Sequence, residues 1–355
     1  MTLGEARALF PVLEHVAYLN AGTFGPLARP VVAAMRRELD RDLGEGRAGM
    51  PYFLRLLELR DQVRETLGGL VGVTADHVAL TSSTTDGCNI VCSGLGLGPG
   101  DEVVTTSDEH FGLLGPLWST GARVVVVAPE PEAIEAAVTG RTRLIAISQV
   151  LWTTGRVLPV AELRERTGLP ILVDGAQSVG AIPVDANDVD FLTISGQKWL
   201  CGPDSTGALV VAEPERLRVS APSYFSQASY DAEGAFEPRQ GAARFDPGWW
   251  SPAALSGMLA AVALRPDWWY DRAQAAAERC RELLAGAGLE VVVPDERATL
   301  VSFRPARGST EEVVEHLRLA GVIVRDIPKT GLVRVSCGWW TDDSELDRLV
   351  EGLPA

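Results

Sequence analysis

The run Ser-Gly-Gln-Lys-Trp at residues 195–199 contains one of only two lysines in the chain, Lys198 and Lys329, against 30 arginines. Arginine replaces lysine wherever a surface positive charge suffices. It cannot replace an amine that must lose its proton and attack a carbonyl, because guanidinium stays protonated at a pKa above roughly 12. Lys198, just beyond an apolar run and ahead of WLCGPDSTG, is therefore a candidate imine-forming residue, whereas Lys329, in the turn-like IPKTG, reads as a solvated side chain. The run ILVDGAQSVGAIPVD sets Asp174 at the end of an apolar strand, where ligands of open α/β sheets collect. A carboxylate there can keep a heteroaromatic nitrogen protonated, as pyridoxal 5'-phosphate (PLP) requires to act as an electron sink. Earlier, ALTSSTTDGCNIV reads as a strand, a cluster of hydroxyl residues and a helix. The helix-start N–H groups, with Thr84 and Thr85, could cradle a phosphate. A later strand ends in TTSDEHFG and puts His110 where a flat ring could stack on a planar cofactor and exchange protons. Each of these residues also has a plainer reading: a loop cap for Asp174, a helix-start polar group for Gln177, N-capping for the threonines, a structural histidine for His110.

The elements that must position them follow from pattern. Seven short β-rich runs recur: HVALTSS, DEVVTTS, ARVVVVA, RLIAISQV, PILVDG, DFLTIS and GALVVA. Helix-like stretches such as PEAIEAAV and PVAELRERTG separate several of them, which predicts crossovers and a mainly parallel sheet buried on both faces. From about residue 267 the pattern turns to a small α+β arrangement ending in LVRVSCGWW and an amphipathic helix. The expected division is a large α/β domain over 16–266 and a smaller α+β domain over 267–355 that also takes in 1–15. The stretch from Ala221 to Gly248, rich in Gly, Pro, Ser and aromatics, reads as a long excursion of the functional kind.

Composition narrows the partners. A formal net charge of -15 repels nucleic acid and anionic membranes, so an anionic small molecule needs a local positive pocket. No basic-then-apolar leader opens the chain and no uncharged apolar run approaches spanning length, which predicts a cytoplasmic protein. The five cysteines, Cys88, Cys92, Cys201, Cys280 and Cys337, read as reduced thiols, and the four histidines show no ligand spacing around them, so no metal site is expected. A nucleotide-binding α/β protein is disfavoured because neither G-x-G-x-x-G nor G-x-x-x-x-G-K-[ST] follows the first strands.

In this order and spacing, the chain resembles the class V aminotransferases, the cysteine desulfurase and isopenicillin-N epimerase-like branch of the fold-type I PLP enzymes. The likeness runs from YLNAGTFGPL to the C-terminal helix and is most specific in VDGAQSVGAIPVD and DFLTISGQKWLCGPDSTGAL. It implies the fold-type I architecture, with a mainly parallel seven-stranded sheet, a homodimer, and PLP joined to Lys198. By the same likeness Asp174 partners the pyridine nitrogen, Gln177 contacts the ring hydroxyl, and His110 stacks on the ring. Thr84, Thr85 and Ser195 hold the phosphate, with Gln197 where many relatives have histidine, and Arg334 grips the substrate carboxylate. In ARFDPGWWSPAAL, Trp249 stands where relatives place a small hydroxyl residue that reaches the neighbouring subunit's phosphate, so Ser251 or a backbone group would serve instead. Trp152 occupies a position where many relatives have asparagine, and Arg239 is a candidate for a second acidic group of the substrate, against a plain surface role.

The implied reaction begins when an α-amino acid displaces Lys198 to form an external aldimine; Lys198 then removes the Cα proton to leave a carbanion. Desulfurases need a loop cysteine shortly before the carboxylate arginine, and VIVRDIPKTGLVRVS has none; Cys337 follows Arg334 and reads as structural. The expectation is therefore β-elimination by a C–S lyase, with epimerisation or racemisation, or transamination, as alternatives and a non-catalytic PLP-binding protein as the remaining one.

Overall fold

The structure is a computed structural model and describes residues 1–354. Its strands are, in chain order, β1 (Ala17–Tyr18), β2 (Val78–Thr81), β3 (Glu102–Thr106), β4 (Arg123–Val127), β5 (Thr142–Ser148), β6 (Ile171–Asp174), β7 (Phe191–Ser195) and β8 (Gly207–Val211). There follow β9 (Gln227–Tyr230), β10 (Phe236–Pro238), β11 (Glu290–Val292), β12 (Leu300–Arg304), β13 (Val322–Ile323), β14 (Arg325–Ile327) and β15 (Leu332–Ser336). The seven β-rich runs of the sequence are β2 to β8, and they form one sheet in the order β2-β8-β7-β6-β5-β3-β4. β8 is antiparallel to β2 and β7; every other neighbouring pair is parallel. Helices cover both faces, which is why β2, β3, β6, β7 and β8 are buried along their whole length and read as continuous apolar runs. β4 is equally apolar but lies at the edge, and Val126 is accordingly exposed.

This strand order places a switch point between β3 and β5. The chain steps outward from β3 to β4, then returns past β3 to β5 and proceeds through β6 to β7. Because β3, β5, β6 and β7 all run the same way, the residues just after their C-terminal ends converge on one rim, the place where open α/β sheets bind ligands. His110, Ser148, Asp174 and Ser195 belong to that rim.

A second sheet, β11-β12-β15-β14, is antiparallel throughout and packs against the helices Trp269–Gly286 and Thr310–Leu319, and the helix Asp343–Glu351 packs on the first of these and on β1 and β13. Cys280, Leu284, Phe303, Leu317, Val335 and Leu346 share its core. β1 pairs in parallel with β13, and Asn20 continues alongside Ser336, so the stretch after residue 16 runs from this sheet toward the rim. Phe10 completes the N-terminal contact by packing its ring 5.4 Å from both Trp339 and Trp340.

The excursion from Ala221 to Gly248 holds the short antiparallel hairpin β9–β10 and a tight helical turn at Gly241–Phe245. One buried carboxylate ties it down. Asp246 accepts from Arg60 at 2.5 Å, from Arg64, and from the Leu80 backbone N–H of β2 at 2.8 Å, with the Arg60 and Asp246 side chains fully buried. The Arg60 guanidinium also lies 4.1 Å over the Phe225 ring. Removing the acid would strand the Arg60 guanidinium inside the protein and leave Arg64 only its bond to Asp61 at 2.9 Å, a type of change that costs about 3–5 kcal/mol. Asp246→Ala is therefore expected to lower the unfolding free energy by that much, with a corresponding fall in the midpoint, in a urea titration followed by circular dichroism. A midpoint equal to the parent's would mean that water reaches both arginines.

Candidate active site

At the rim the strand ends and the stretch after β1 enclose a cleft of about 250 Å³, lined by Gly22, Thr23, Phe24, Ser83, Thr84, Thr85, His110, Trp152, Gln177, Ser195, Gln197, Lys198, Arg325 and Arg334. Lys198 lies three residues past β7, in a turn that is closed by the Gly196 and Gly202 N–H groups. The Gly25 N–H donates to the Gln197 carbonyl at 2.8 Å, and a Cβ on Gly25 would fall 2.1 Å from the Lys198 carbonyl oxygen. The N-terminal stretch thus packs backbone to backbone against the lysine turn, which only glycine permits. Burial lowers the Lys198 ammonium from the usual lysine range to about 8; Asp174 opposes that shift, while Arg334 and Arg325 add to it.

Asp174 ends β6 and is buried, with Oδ1 accepting from the Ala176 N–H at 2.9 Å. Its neighbour Gly175 approaches β7 so closely that a Cβ there would sit 2.3 Å from the Thr193 carbonyl oxygen. Gln177 is fixed at both ends of its amide: Nε2 donates to the Gly22 carbonyl and Oε1 accepts from the Trp199 indole N–H, each at 2.9 Å. Ser195 donates to Gln197 Oε1 at 2.9 Å.

The helix Thr84–Gly94 begins at the cleft. Ser83 is its N-cap, accepting from the Asp86 N–H at 3.1 Å, so Thr84 and Thr85 occupy the first turn. Gly87 lets this helix lie against β7, since a Cβ there would meet Thr193 Cγ2 at 2.8 Å. On the other side His110 caps the helix Phe111–Ser119, its Nδ1 accepting from the Gly112 N–H at 3.1 Å. That bond leaves the neutral ring's proton on Nε2. The ring meets Trp152 edge-on at 5.2 Å, and partial burial, with Lys198, Arg325 and Arg334 in support, holds its pKa below the ordinary histidine value.

Arg325 and Arg334 form the remaining wall. They are register partners across β14 and β15. Arg334 is fully buried and donates to the Trp152 carbonyl at 2.9 Å and to Thr23 Oγ1 at 3.3 Å, leaving its Nε unpaired. Burial and the neighbouring Arg325 bring its pKa down to about 9. Arg325 reaches Thr23 Oγ1 at 3.4 Å and lies 5.7 Å over the Trp152 ring. Neither arginine makes an ion pair among the described residues. A Cβ on Gly22 would stand 2.9 Å from Arg334 Nη2 and 3.0 Å from Gln177 Oε1, so this glycine is what lets the chain pass between them.

Of the residues singled out from the sequence, Thr84, Thr85, His110, Trp152, Gln177, Ser195, Gln197, Lys198 and Arg334 line the cleft, while Asp174 is buried behind it, close enough for its charge to act on Lys198. Ser251 and Arg239 do not line it. Ser251 caps the helix Pro252–Ala263 through the Ala254 N–H, and Arg239 lies near Arg60 at the excursion. Gly22, Thr23, Gly25 and Arg325 were not identified from the sequence. Two glycines within YLNAGTFGPL were the available signal; Arg325 gave none, because alternation along so short a strand does not reveal a facing arginine. All five cysteines are buried and none lines the cleft.

The family model for aminotransferase class-V matches residues 17–349. The chain belongs to the class-V aminotransferase family. Class-V relatives include isopenicillin N epimerases of Streptomyces clavuligerus, 28% identical across 99% of this chain and 97% of theirs, and of Amycolatopsis lactamdurans, 30% identical across 98% and 97%. A probable cysteine desulfurase of Methanothermobacter thermautotrophicus is 32% identical over 59% of this chain and 56% of its own. Among solved structures, the cystine C–S lyase C-DES with its product cysteine persulfide superposes at a TM-score of 0.90, with 25% identity over 96% of this chain and 98% of the other. A C-DES lysine-to-alanine mutant with glycine covalently linked to its PLP cofactor gives 0.89 at 26% identity, over 97% and 98%. The fold is thus that of the class-V enzymes, and no helix among the described residues is long and apolar enough to cross a membrane.

The donor set in this class-V cleft fits PLP: an amine of reduced basicity, a buried carboxylate facing it, a helix start rich in hydroxyls and N–H groups, and a flat ring at the mouth. The lysine makes the fit testable. Its amine is free above about pH 8, well below the ordinary 10.5. Attachment of PLP to the apoprotein should therefore speed up as pH rises and level off past about 8, as read by absorbance. Borohydride reduction and peptide mass spectrometry should find the adduct on Lys198 and lose it in Lys198→Ala. An adduct on Lys329, or a rate that does not change with pH, would remove Lys198 from this role.

Proposed function

We propose that this protein is a C–S lyase that eliminates the β-substituent of a cysteine-derived amino acid carrying a second acidic group. As a member of the class-V family it is a PLP-dependent enzyme acting on a small amino-acid substrate. The observation that carries the reading is the pair of arginines, Arg325 and Arg334, side by side and without an acidic partner, facing Lys198. Burying the Arg334 guanidinium without a counter-charge, beside a second, half-buried one, is expensive, and a substrate with two anionic groups would supply the missing charge. Cystine, the substrate named for C-DES, has that character.

In this reading Arg334 takes the α-carboxylate bidentately and Arg325, flanking Trp152, takes the distal acid. PLP supplies an aldehyde for Lys198 and a ring that spreads the electron pair released at Cα. Lys198, of lowered basicity, takes the Cα proton. Asp174 keeps the ring nitrogen protonated, while the Thr84–Thr85 helix start and Ser195 hold the phosphate. The Nε2 proton of His110 is available to the departing sulfur. β14 and β15 are joined by only four residues, Pro328–Gly331, so no loop cysteine stands there to accept sulfur. The reading includes a homodimer, with Tyr224 and Trp249, stacked at 6.0 Å and both largely exposed, facing the second copy.

Epimerisation is the second reading, favoured by the full-length likeness to the isopenicillin N epimerases. Incubation with cystine separates the two, since elimination releases cysteine persulfide and, after hydrolysis of the remaining aminoacrylate, pyruvate and ammonia, whereas epimerisation yields only loss of optical rotation. Arg325→Gln is expected to raise KM for cystine roughly 10-fold to 100-fold, the worth of a charge-assisted hydrogen bond. S-methylcysteine, lacking the distal acid, should be little affected. Equal effects on both substrates would remove the distal-acid role.

A further inference from the structure

Glu109 is a buried carboxyl that the proposed reaction does not use. It lies between two strand ends of the rim and is held by donors from both. Thr106 at the end of β3 donates its hydroxyl to Oε1 at 2.7 Å, and Ser148 at the end of β5 donates its hydroxyl to Oε2 at 2.6 Å. The Ser148 backbone N–H is 3.1 Å from each oxygen. Glu109 is only 6% exposed and has no cation partner among the described residues. Ser148 is the register partner of Asp174, so two carboxyl groups occupy adjacent strand ends. The other titratable groups around it are Cys88 on the helix Thr84–Gly94 and, in its own loop, Asp108, which accepts from Thr153 at 3.0 Å, and His110.

We propose that Glu109 is a positioning residue that clamps the His110 loop to β3 and β5 and, by holding or releasing a proton beside Asp174, sets the pH at which the charge of the cleft changes. The role in the cleft rests on the PLP reading; the ionisation itself does not. Burial raises the carboxyl to about 7, with Asp174 adding to the shift and the Ser148 and Thr106 bonds opposing it. Below that pH Glu109 is protonated and adds no negative charge beside Asp174. Above it a second negative charge favours the protonated forms of every basic group in the cleft.

The decisive comparison uses the holoenzyme and Glu109→Gln, whose amide oxygen still accepts from one of the Ser148 and Thr106 hydroxyls while the other can rotate to accept from its nitrogen. Cofactor absorbance titrated over about pH 5.5 to 9.5 should show an inflection near 7 in the parent that the variant lacks, and the variant's remaining transition should move down by roughly half a unit or more. Glu109→Ala, which also loses the clamp, should lower kcat roughly 10-fold or more with little change in KM, and Glu109→Gln should recover most of that loss. Denaturant unfolding of the apoprotein supplies a cofactor-independent reading. The folded state holds the proton more tightly than the unfolded chain, so parental stability should fall as pH rises from about 4.5 to about 7, and Glu109→Gln should lack that fall. Identical pH profiles for parent and Glu109→Gln in the unfolding series would overturn the proposal. A missing cofactor band in the parent would instead count against the PLP reading.

Discussion

Three cations, Lys198, Arg325 and Arg334, are held around one cleft, and the carboxylate whose charge acts on the lysine is the buried Asp174. Everything else at the rim is arranged around that imbalance. Burial of a charge is tolerated only where neighbours or a ligand compensate it, and here the strongest consequence is on acidity: the lysine and Arg334 both become easier to deprotonate, and His110 harder to protonate. In a chain with a net charge of -15, this concentration of positive groups is the local exception that an anionic ligand requires.

The imbalance persists because backbone, rather than side-chain freedom, sets the positions. Asp174 is the last residue of β6, Lys198 follows β7 by a three-residue turn, and Arg334 lies within β15, opposite Arg325. The stretch after β1 locks the two sheets to the same site, with Gly22 passing between Arg334 and Gln177 and Gly25 resting on the lysine turn. A methyl group at either glycine would collide with the atoms that define the cleft. The fit between the sheets is therefore part of the site.

Charge is handled differently away from the rim. Asp246 receives two buried arginines and a strand N–H, and serves to fasten the aromatic excursion to the large sheet. Glu109 receives only neutral donors and sits beside another acid, which leaves its proton in play near neutrality. Both carboxyls are buried, but only Asp246 has cationic partners; at Glu109 burial, with no cation to offset it, raises the acid toward neutrality.

Much of this was legible in the linear chain. The seven β-rich runs, the hydroxyl cluster before the helix at Thr84, Asp174 at a strand end and a lone functional lysine among arginines are local signals, since each depends on composition or on a period of a few residues. They determined the α/β class and singled out Lys198, Asp174, Thr84, Thr85 and His110, whereas Ser195, Gln197, Trp152 and Arg334 followed from the likeness to the class-V family. What they did not contain was the meeting of distant segments. Arg325 enters the cleft only because β14 pairs with β15, and Gly22 and Gly25 matter only because the N-terminal stretch crosses from β13 to the lysine turn. Arg239 does not line the cleft, and Ser251, expected at a neighbouring subunit's phosphate, caps a helix outside this chain's own cleft. Glu109 stood unremarked beside His110 because a carboxyl's protonation depends on which strand ends surround it. Residue type and short-range pattern are properties of the sequence; proximity, burial and the resulting acidity arise only when the chain is folded.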